Sequence, residues 1–230
     1  MSQVEIYNTN CLDGIKELAD ESIDLIVTDP PYCVGTTSNG KQASWTDNSL
    51  IVPFFDRLFE QFFRVLKQNT SLYLHTDWRT YPLLYGVLQE YFSIQNLIVW
   101  DYEWIKAGNY YRFSHELILY ATKGRPKRTF SPGERDVWRI KPINYTSKGK
   151  LYKTQKPLDL TERMIQHGSK EGDTILDAFL GSGTTACAAI KTGRNLIGYE
   201  INKRIFDVAQ WRIGRAREGE FIEYMDQSEG

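Results

Sequence analysis

The sequence predicts an α/β protein, and three observations support this class. Short apolar runs of strand type alternate along the chain with helical patterns. The segment ILDAFLGSGTTACAAIKTGRNLIGYEI contains a strand, a glycine turn, a helix and a second strand, which together form one βαβ unit. The 230 residues, of which 41% are apolar and 25% charged, suit one globular domain with a sizeable core. We therefore expect residues 1–230 to form a single domain.

Strands and helices follow one another along the chain. The apolar runs predict buried strands at residues 23–29, 70–76, 96–100, 115–122, 173–179 and 195–200. Helical spacing of apolar residues predicts helices at residues 54–67, 82–92, 157–169, 184–193 and 203–216. Two long stretches fit neither pattern, because residues 35–49 are polar and residues 124–150 are basic and broken by prolines. Connections of this length tend to be functional or disordered, and we expect the first to be a mobile loop.

Composition disfavours several classes of protein. The opening residues, MSQVEIYNTNCLDG, lack the basic flank and apolar core of a signal peptide, and no apolar run approaches the length of a membrane span. We therefore expect a cytoplasmic protein with no membrane partner. The cysteines and histidines are scattered and match neither a disulfide framework nor a metal-ligand pattern, so we expect no metal site.

The charge of the chain is unevenly distributed. A net charge of -1 usually argues against a nucleic-acid partner. Basic residues nevertheless dominate from Lys123 to Lys156, where only Glu134 and Asp136 oppose them. Such a segment can follow a phosphate backbone, and the alternative is a solvated loop that its lysines keep soluble.

The glycine turn of the βαβ unit suits a nucleoside. Gly181 and Gly183 allow a tight turn that brings a ligand close to the backbone, and Glu200 lies where an acid hydrogen-bonds ribose hydroxyls. Asp177 ends the preceding strand and would repel a pyrophosphate, which disfavours a dinucleotide. S-adenosylmethionine has no phosphate and carries an ammonium, a sulfonium and a ribose, so it fits better. The alternative is a glycine turn that only packs a helix against a strand.

The segment TDPPY, residues 28–32, gives a buried strand a stiff end. Pro31 restricts Pro30 to extended conformations, and neither proline has an N–H, so the Pro30 carbonyl can face a cleft at the edge of the sheet. Asp29 adds a second acceptor, and Tyr32 can stack on an aromatic ring. Two converging acceptors suit the NH₂ group of a nucleobase. Hydrogen bonds to both N–H groups would draw the amine out of conjugation and free its lone pair.

TDPPY followed far downstream by DAFLGSGTT resembles the S-adenosylmethionine-dependent amino-methyltransferases that modify adenine N6 or cytosine N4 in DNA. The order, with the catalytic motif before the cofactor loop, is similar to that of the permuted β class, and the resemblance covers nearly the whole chain. The resemblance implies a Rossmann-like methyltransferase fold, with a twisted, mostly parallel sheet of seven strands and helices on both faces. Aspartate at the head of the tetrapeptide favours adenine over cytosine.

The resemblance also implies which residues form the site. Asp29, Pro30, Pro31 and Tyr32 would form the amine pocket and carry the catalysis. The residues expected around S-adenosylmethionine are Asn10, Cys11, Asp29, Thr154, Lys156, Asp177, Phe179, Gly181, Gly183, Thr184 and Glu200. Within this set, Asn10 and Cys11 would lie near the adenine of the cofactor, and Thr154 and Lys156 near its carboxylate.

DNA is the partner that the resemblance implies. A target base would have to be flipped out or already single-stranded to reach the pocket. Residues 35–49 would form a lid over that base or a simple connector, and residues 124–150 match the family's target-recognition segment in position. The residues expected to contact nucleic acid are Trp45, Arg125, Lys127, Arg128, Arg135, Arg139 and Lys148. So short a recognition segment indicates few base contacts, supplemented by formation of a homodimer.

Other functions stay open from the sequence alone. A methyltransferase of this kind could act on cytosine N4, on RNA or on a protein glutamine amide, although Asp29 and the permuted order argue against the last. A catalytically silent scaffold for nucleic acid is a further alternative, as is a generic nucleotide-binding protein, which would leave the double proline unexplained. Aromatic residues between Trp100 and Phe113 offer a stacking surface, or else belong to the core or a subunit interface.

Overall fold

The computed structural model describes residues 2–32, 48–106, 108, 110–127, 129–143 and 154–223, which form one eight-stranded sheet flanked by helices. The strands are β1 (Val4–Tyr7), β2 (Ile23–Thr28), β3 (Leu66–Thr76), β4 (Ser93–Asp101), β5 (His115–Lys123), β6 (Val137–Arg139), β7 (Thr174–Asp177) and β8 (Asn195–Tyr199). The helices are α1 (Cys11–Lys16), α2 (Asn48–Val65), α3 (Tyr81–Leu88), α4 (Leu158–Gly168), α5 (Thr184–Lys191) and α6 (Lys203–Arg217). None of these helices is long and apolar enough to cross a membrane.

The sheet has the strand order β1-β8-β7-β2-β3-β5-β4-β6. The first five strands in this order pair in parallel, β5 runs antiparallel to both β3 and β4, and β6 pairs in parallel with β4. The predicted α/β class and mostly parallel sheet are therefore confirmed. The expected strand count of seven is wrong by one, because part of the basic segment forms β6 and extends the sheet beside β4.

Helices cover both faces of the sheet. Leu25 and Val27 of β2 point into a core shared with α4, α5 and α6, whereas Ile26 between them points into a core shared with α1, α2 and α3. Because successive side chains of a strand face opposite ways, a strand buried on both faces is mostly apolar, as β2 is apart from the partly buried Asp24 and the terminal Thr28. This burial explains the continuous apolar run that predicted β2.

All of the predicted strands and helices are present, with shifted boundaries. Helix α2 begins at Asn48 and continues through Pro53, so it takes in the last two residues of the loop expected at residues 35–49. Residues 35–47, including Trp45, lie outside the described residues. The short elements β1, α1 and β6 were not predicted, because four, six and three residues are too few to display a periodic pattern.

The strand directions gather the predicted motifs at one edge of the sheet. Strands β2, β7 and β8 end there with Thr28, Asp177 and Tyr199. Strand β5 runs in the opposite direction and so begins there, with His115 paired to Asp101 at the end of β4. We call this the carboxyl edge and the other side of the sheet the amino edge. Ligand crevices in open α/β sheets form at the carboxyl ends of the strands.

Candidate active site

A cavity of about 540 Å³ opens at the carboxyl edge. Both predicted motifs line it, since the tetrapeptide that starts at Asp29 contributes one end and the glycine turn after Asp177 contributes the other. We call these the catalytic end and the cofactor end. A single cavity therefore joins the two sites that the sequence predicted separately.

The glycine turn connects β7 to α5 in a left-handed conformation. Gly181 and Gly183 have φ values of 54° and 84°, a region that side chains other than glycine rarely adopt. Gly181 lines the cavity as expected. Gly183 does not line it, and a Cβ added there would lie only 3.1 Å from Cβ of Ala209 in α6. Gly183 thus allows α5 to pack closely on α6, and its expected cofactor contact stays a prediction.

A buried arginine of α6 donates hydrogen bonds to the glycine turn, and sequence reasoning missed this residue. Arg212 of α6 is almost completely buried. Its Nη1 donates to the carbonyl and the hydroxyl of Ser182 at 2.8 and 3.1 Å and to Oγ1 of Thr184 at 3.1 Å, and its Nε donates to the carbonyl of Ile222. Charge-assisted bonds of this kind are short and directional, so they fix the turn rather than leave it adaptable.

Asp177 at the cofactor end is a buried carboxylate, and its hydrogen-bond donors among the described residues are all neutral. Its Oδ1 accepts hydrogen bonds from Oγ1 of Thr28 at 2.9 Å and from the amide of Phe179 at 3.1 Å. Burial raises the pKa of Asp177 to about 6, although the Thr185 hydroxyl and these two donors oppose the shift. A carboxylate in this position gains stability from a cationic ligand group.

The remaining residues expected around a cofactor also lie along the cavity wall. Glu200 accepts from the amide of Gly181 at 3.0 Å and from the amide of Asn202 at 2.7 Å, so the acid fixes the turn as well as facing the cavity. Asn10 caps α1 by accepting from the amide of Leu12 at 3.0 Å. Lining residues that were also predicted are Cys11, Thr154, Phe179 and Thr184. Burial raises the pKa of Cys11 to about 12, which keeps the thiol neutral.

At the catalytic end, Asp29 uses one carboxylate oxygen and leaves the other without a partner. Oδ2 lies 2.8 Å from Nζ of Lys156. Oδ1 is buried and has no hydrogen-bond partner among the described residues. A buried acceptor without a donor is costly unless a ligand supplies one. Pro30 and Tyr32 line the cavity beside it, as predicted.

Lys156 lies between two carboxylates, which sequence reasoning did not anticipate. Its Nζ is 2.8 Å from Asp29 and 2.9 Å from Oε2 of Glu116, and it donates to the hydroxyl of Tyr32 at 3.1 Å. Burial opposes the charge, but the two carboxylates outweigh burial and raise the pKa of Lys156 above its ordinary value. In this structure Lys156 therefore contacts protein carboxylates, and its expected contact with a cofactor carboxylate stays a prediction.

Glu116 and His75 are further cavity residues that sequence reasoning missed. Both belong to strands that were predicted, but the sequence does not reveal that these side chains face the cavity. His75 is fully buried, burial lowers its pKa to about 4, and its Nδ1 has no partner among the described residues. The imidazole is therefore neutral at physiological pH. The only available signal was an ionisable residue within an apolar strand.

The predicted nucleic-acid residues separate between the two edges of the sheet. Arg139 ends β6 at the carboxyl edge, is 70% exposed and lies 3.7 Å from Oδ2 of Asp101. Arg125 and Lys127 follow β5, which ends at the amino edge, and the Arg125 amide donates to Asn69. Arg135 precedes β6 and is exposed. Arg128 and Lys148 lie outside the described residues, as does Trp45. Arg139 is thus nearest to the cavity among the described candidates.

The aromatic segment between β4 and β5 is divided between the core and the protein surface. Trp100 and Tyr102 are buried in the core. Tyr110 and Tyr111 are 98% and 92% exposed. Other exposed side chains at the same edge are Trp78, Trp104 and Phe113, and the guanidinium of Arg79 lies 5.7 Å from the ring of Trp78 and 5.9 Å from that of Phe113. For these exposed rings, the expected stacking surface stays a prediction.

Relatives of known name match most of the chain. The N6/N4 methyltransferase family model, described as DNA methylase, matches residues 23–211. The type II methyltransferase M.HpaI of Haemophilus parainfluenzae is 32% identical over 234 residues, which cover 89% of this chain and 72% of that protein. The DNA adenine methyltransferase YhdJ of Escherichia coli (strain K12) is 30% identical over 246 residues, covering 90% of this chain and 82% of YhdJ.

Solved structures share the fold. The crystal structure of the M1.HpyAVI-SAM complex matches with a TM-score of 0.72 at 26% identity, covering 92% of this chain and 99% of that one. PvuII DNA methyltransferase, which is cytosine-N4-specific, matches with a TM-score of 0.75 over 96% of this chain and 94% of that one, but at 18% identity it shows the fold alone. The family model and the relatives together place this chain in the N6/N4 family of DNA methylases.

Proposed function

We propose that this protein transfers a methyl group from S-adenosylmethionine to the exocyclic N6 amine of adenine in DNA. The observation that carries the proposal is the buried, unpartnered Oδ1 of Asp29 on the wall of the cavity. An amine N–H satisfies this oxygen, and Lys156 on Oδ2 prevents the carboxylate from rotating to a different partner.

The donor set at the cofactor end fits S-adenosylmethionine. Asp177 has no cationic partner among the described residues and suits the positive end of that molecule. Glu200 and the backbone at Gly181 suit a ribose. When bound, S-adenosylmethionine supplies an electrophilic methyl group on a sulfonium. M1.HpyAVI, which shares this fold, was solved as a SAM complex, and that supports the assignment.

The chain activates the amine by positioning it and by shaping its electron distribution. Oδ1 of Asp29 and the Pro30 carbonyl accept the two N–H groups, which draws the nitrogen lone pair away from the ring and makes it nucleophilic. Tyr32 stacks on the base. Asp29 is also placed to take the proton that the nitrogen releases after methylation.

DNA would approach over the carboxyl edge, because the cavity opens there. The target base leaves its stack to enter the cavity. Exposed aromatic rings around Tyr110 and Tyr111 offer stacking contacts for bases, and Arg139 offers a contact for phosphate. The name of the relative YhdJ specifies adenine in DNA, and the Asp29 side chain at the head of the tetrapeptide supports the same target.

The test is methyl transfer with nucleoside analysis of the product. Purified protein is incubated with tritiated S-adenosylmethionine and unmethylated duplex DNA, single-stranded DNA or RNA, and the labelled nucleosides are separated. N6-methyladenine in DNA is expected. N4-methylcytosine would overturn the adenine assignment, label only in RNA would overturn the DNA assignment, and no label despite measured cofactor binding would favour a scaffold.

A further inference from the structure

The catalytic end of the cavity contains a cluster of buried charges that the proposed reaction does not explain. Two carboxylates, Asp29 and Glu116, face two ammonium groups, Lys156 and Lys106, within a few ångströms. Glu116 is the second residue of β5 and is far from Asp29 in the sequence. Burying this many charges is costly, so their retention calls for a role beyond stability.

Both carboxylate oxygens of Glu116 have partners within the protein. Oε2 accepts from the Tyr32 hydroxyl at 3.1 Å and lies 2.9 Å from Nζ of Lys156. Oε1 accepts from the Tyr102 hydroxyl at 2.5 Å and lies 3.7 Å from Nζ of Lys106. Glu116 therefore differs from Asp29, whose Oδ1 has no hydrogen-bond partner among the described residues.

Through these contacts Glu116 fixes Tyr32 directly and Asp29 by way of Lys156. Lys156 spends its donors on Asp29, Glu116 and Tyr32, so its ammonium has one defined position. In that position the ammonium binds Oδ2 of Asp29, while Oδ1 has no hydrogen-bond partner among the described residues. The same Glu116 oxygen also holds the hydroxyl of Tyr32. One side chain on a rigid strand thus orients both the acceptor and the stacking ring.

Resting on the proposed function, we propose that Glu116 is a positioning residue for methyl transfer, which holds Lys156 against Asp29 and thereby directs Oδ1 of Asp29 to the target amine. The role requires the negative charge of Glu116. With glutamine at this position, Lys156 loses one of its two carboxylates, and the amide presents a donor to a group that offers only donors.

The kinetic test compares Glu116→Gln with Glu5→Gln. Glu5 is a matched control, because it also lies on a strand and accepts a tyrosine hydroxyl, that of Tyr7, but lies outside the cavity. E116Q is expected to lower kcat by roughly 10- to 100-fold, the cost of a slightly misplaced reacting group, while the Kd for S-adenosylmethionine stays within about twofold. E5Q is expected to leave both unchanged. An unchanged kcat in E116Q overturns the proposal.

A pH profile separates positioning from a merely structural effect. The charged and titratable groups that face Lys156 are Asp29, Tyr32, His75, Lys106 and Glu116. Without Glu116, burial acts against only one carboxylate, so Lys156 loses its proton at lower pH and the alkaline limb of kcat moves down. Adding Lys156→Arg to E116Q is expected to remove that limb, because arginine stays charged. A limb that stays at the wild-type pH in E116Q overturns the proposal.

Two further measurements keep the outcome decisive. If E116Q does not fold, Glu116→Asp keeps the charge but withdraws it by one methylene, and an unchanged kcat in that variant overturns the proposal. The charge of Lys156 is also read without turnover, by ¹⁵N NMR of labelled lysine side chains, with the signal assigned by its loss in K156R. If the Lys156 ammonium titrates at the same pH in wild type and in E116Q, the proposal is overturned. This result does not depend on methylation activity, so it can be read even if the proposed function itself fails.

Discussion

Two buried carboxylates in one cavity respond to burial in opposite ways. At the cofactor end, the donors to Asp177 in the part of the chain that the structure describes are neutral, and burial raises its pKa to about 6. At the catalytic end, burial also acts to raise the pKa of Glu116, but Lys156, the Tyr102 hydroxyl and Lys106 together lower it to about 2. The catalytic end therefore contains protein cations, whereas Asp177 at the cofactor end suits a cationic group of a ligand. Charge balance thus distinguishes a prepared reaction centre from a prepared binding site.

Among the predicted changes, removing Asp29 from the catalytic end should have the largest effect on methyl transfer. Asp29→Ala deletes the acceptor of the amine protons, so we expect methyl transfer to fall by on the order of 10³-fold or more. The Kd for S-adenosylmethionine, measured by calorimetry, should change by less than about threefold, because the cofactor end keeps its residues. Wild-type turnover in this variant would show that the amine pocket is assigned to the wrong residues.

Removing the acid of the cofactor end should weaken binding while stabilising the free protein. Asp177→Asn deletes a carboxylate whose pKa is raised in the folded state, so its ionisation costs stability as pH rises from about 4 through about 6. At pH 8 the variant should exceed wild type by up to about 3 kcal/mol in the free energy of unfolding, and at pH 4 the gain should vanish. Urea denaturation at both pH values measures this difference. A gain that does not depend on pH would contradict the assignment.

The pH dependence of cofactor binding sharpens the same contrast. Protonation of Asp177 below about pH 6 removes its attraction for a cation, so the Kd for S-adenosylmethionine should rise as pH falls, by up to about tenfold per pH unit. Asp177→Asn is the matched control, and its Kd should change much less over the range. Glu116 stays ionised throughout that range, since its pKa is about 2. Equal pH dependence in both proteins would assign the effect to another group.

The smallest expected effect tests which edge of the sheet meets DNA. Arg139→Ala at the carboxyl edge should weaken binding of a short DNA duplex by about 3- to 10-fold and reduce its salt dependence, as expected for one lost phosphate contact. Arg125→Ala at the amino edge is the matched control and should change binding by less than about twofold. Fluorescence anisotropy at two salt concentrations measures both. A larger effect of Arg125 would place the DNA on the opposite side of the sheet.

The sequence predicted much of the fold, because long apolar runs and helical spacing report burial directly. Strand β2 and helix α6 were predicted to within about one residue of their observed ends. Strand β6 was missed because three residues of a basic, proline-broken stretch have no pattern of their own, and only pairing with β4 makes them a strand. The seven-strand expectation failed for this reason.

The site was predicted where one motif contains its own chemistry and missed where chemistry depends on contacts distant in sequence. Asp29 and Gly181 are evident from their neighbours along the chain. Glu116 was treated only as part of a strand, because nothing in HELILYAT indicates that its first residues reach the edge where Asp29 lies. Lys156 was assigned to a cofactor carboxylate from its motif, whereas its contacts are with Asp29 and Glu116.

The strand order has a consequence for how the protein is made. The hydrogen bond from Thr28 to Asp177 joins residues 149 positions apart, and β2 and β7 are neighbours in the middle of the sheet. During translation, the DPPY segment leaves the ribosome on the order of 10 s before Asp177 does. A sheet built on such distant pairings folds slowly. The nascent chain therefore cannot join the two ends of the cavity until the strand that carries Asp177 has been synthesised.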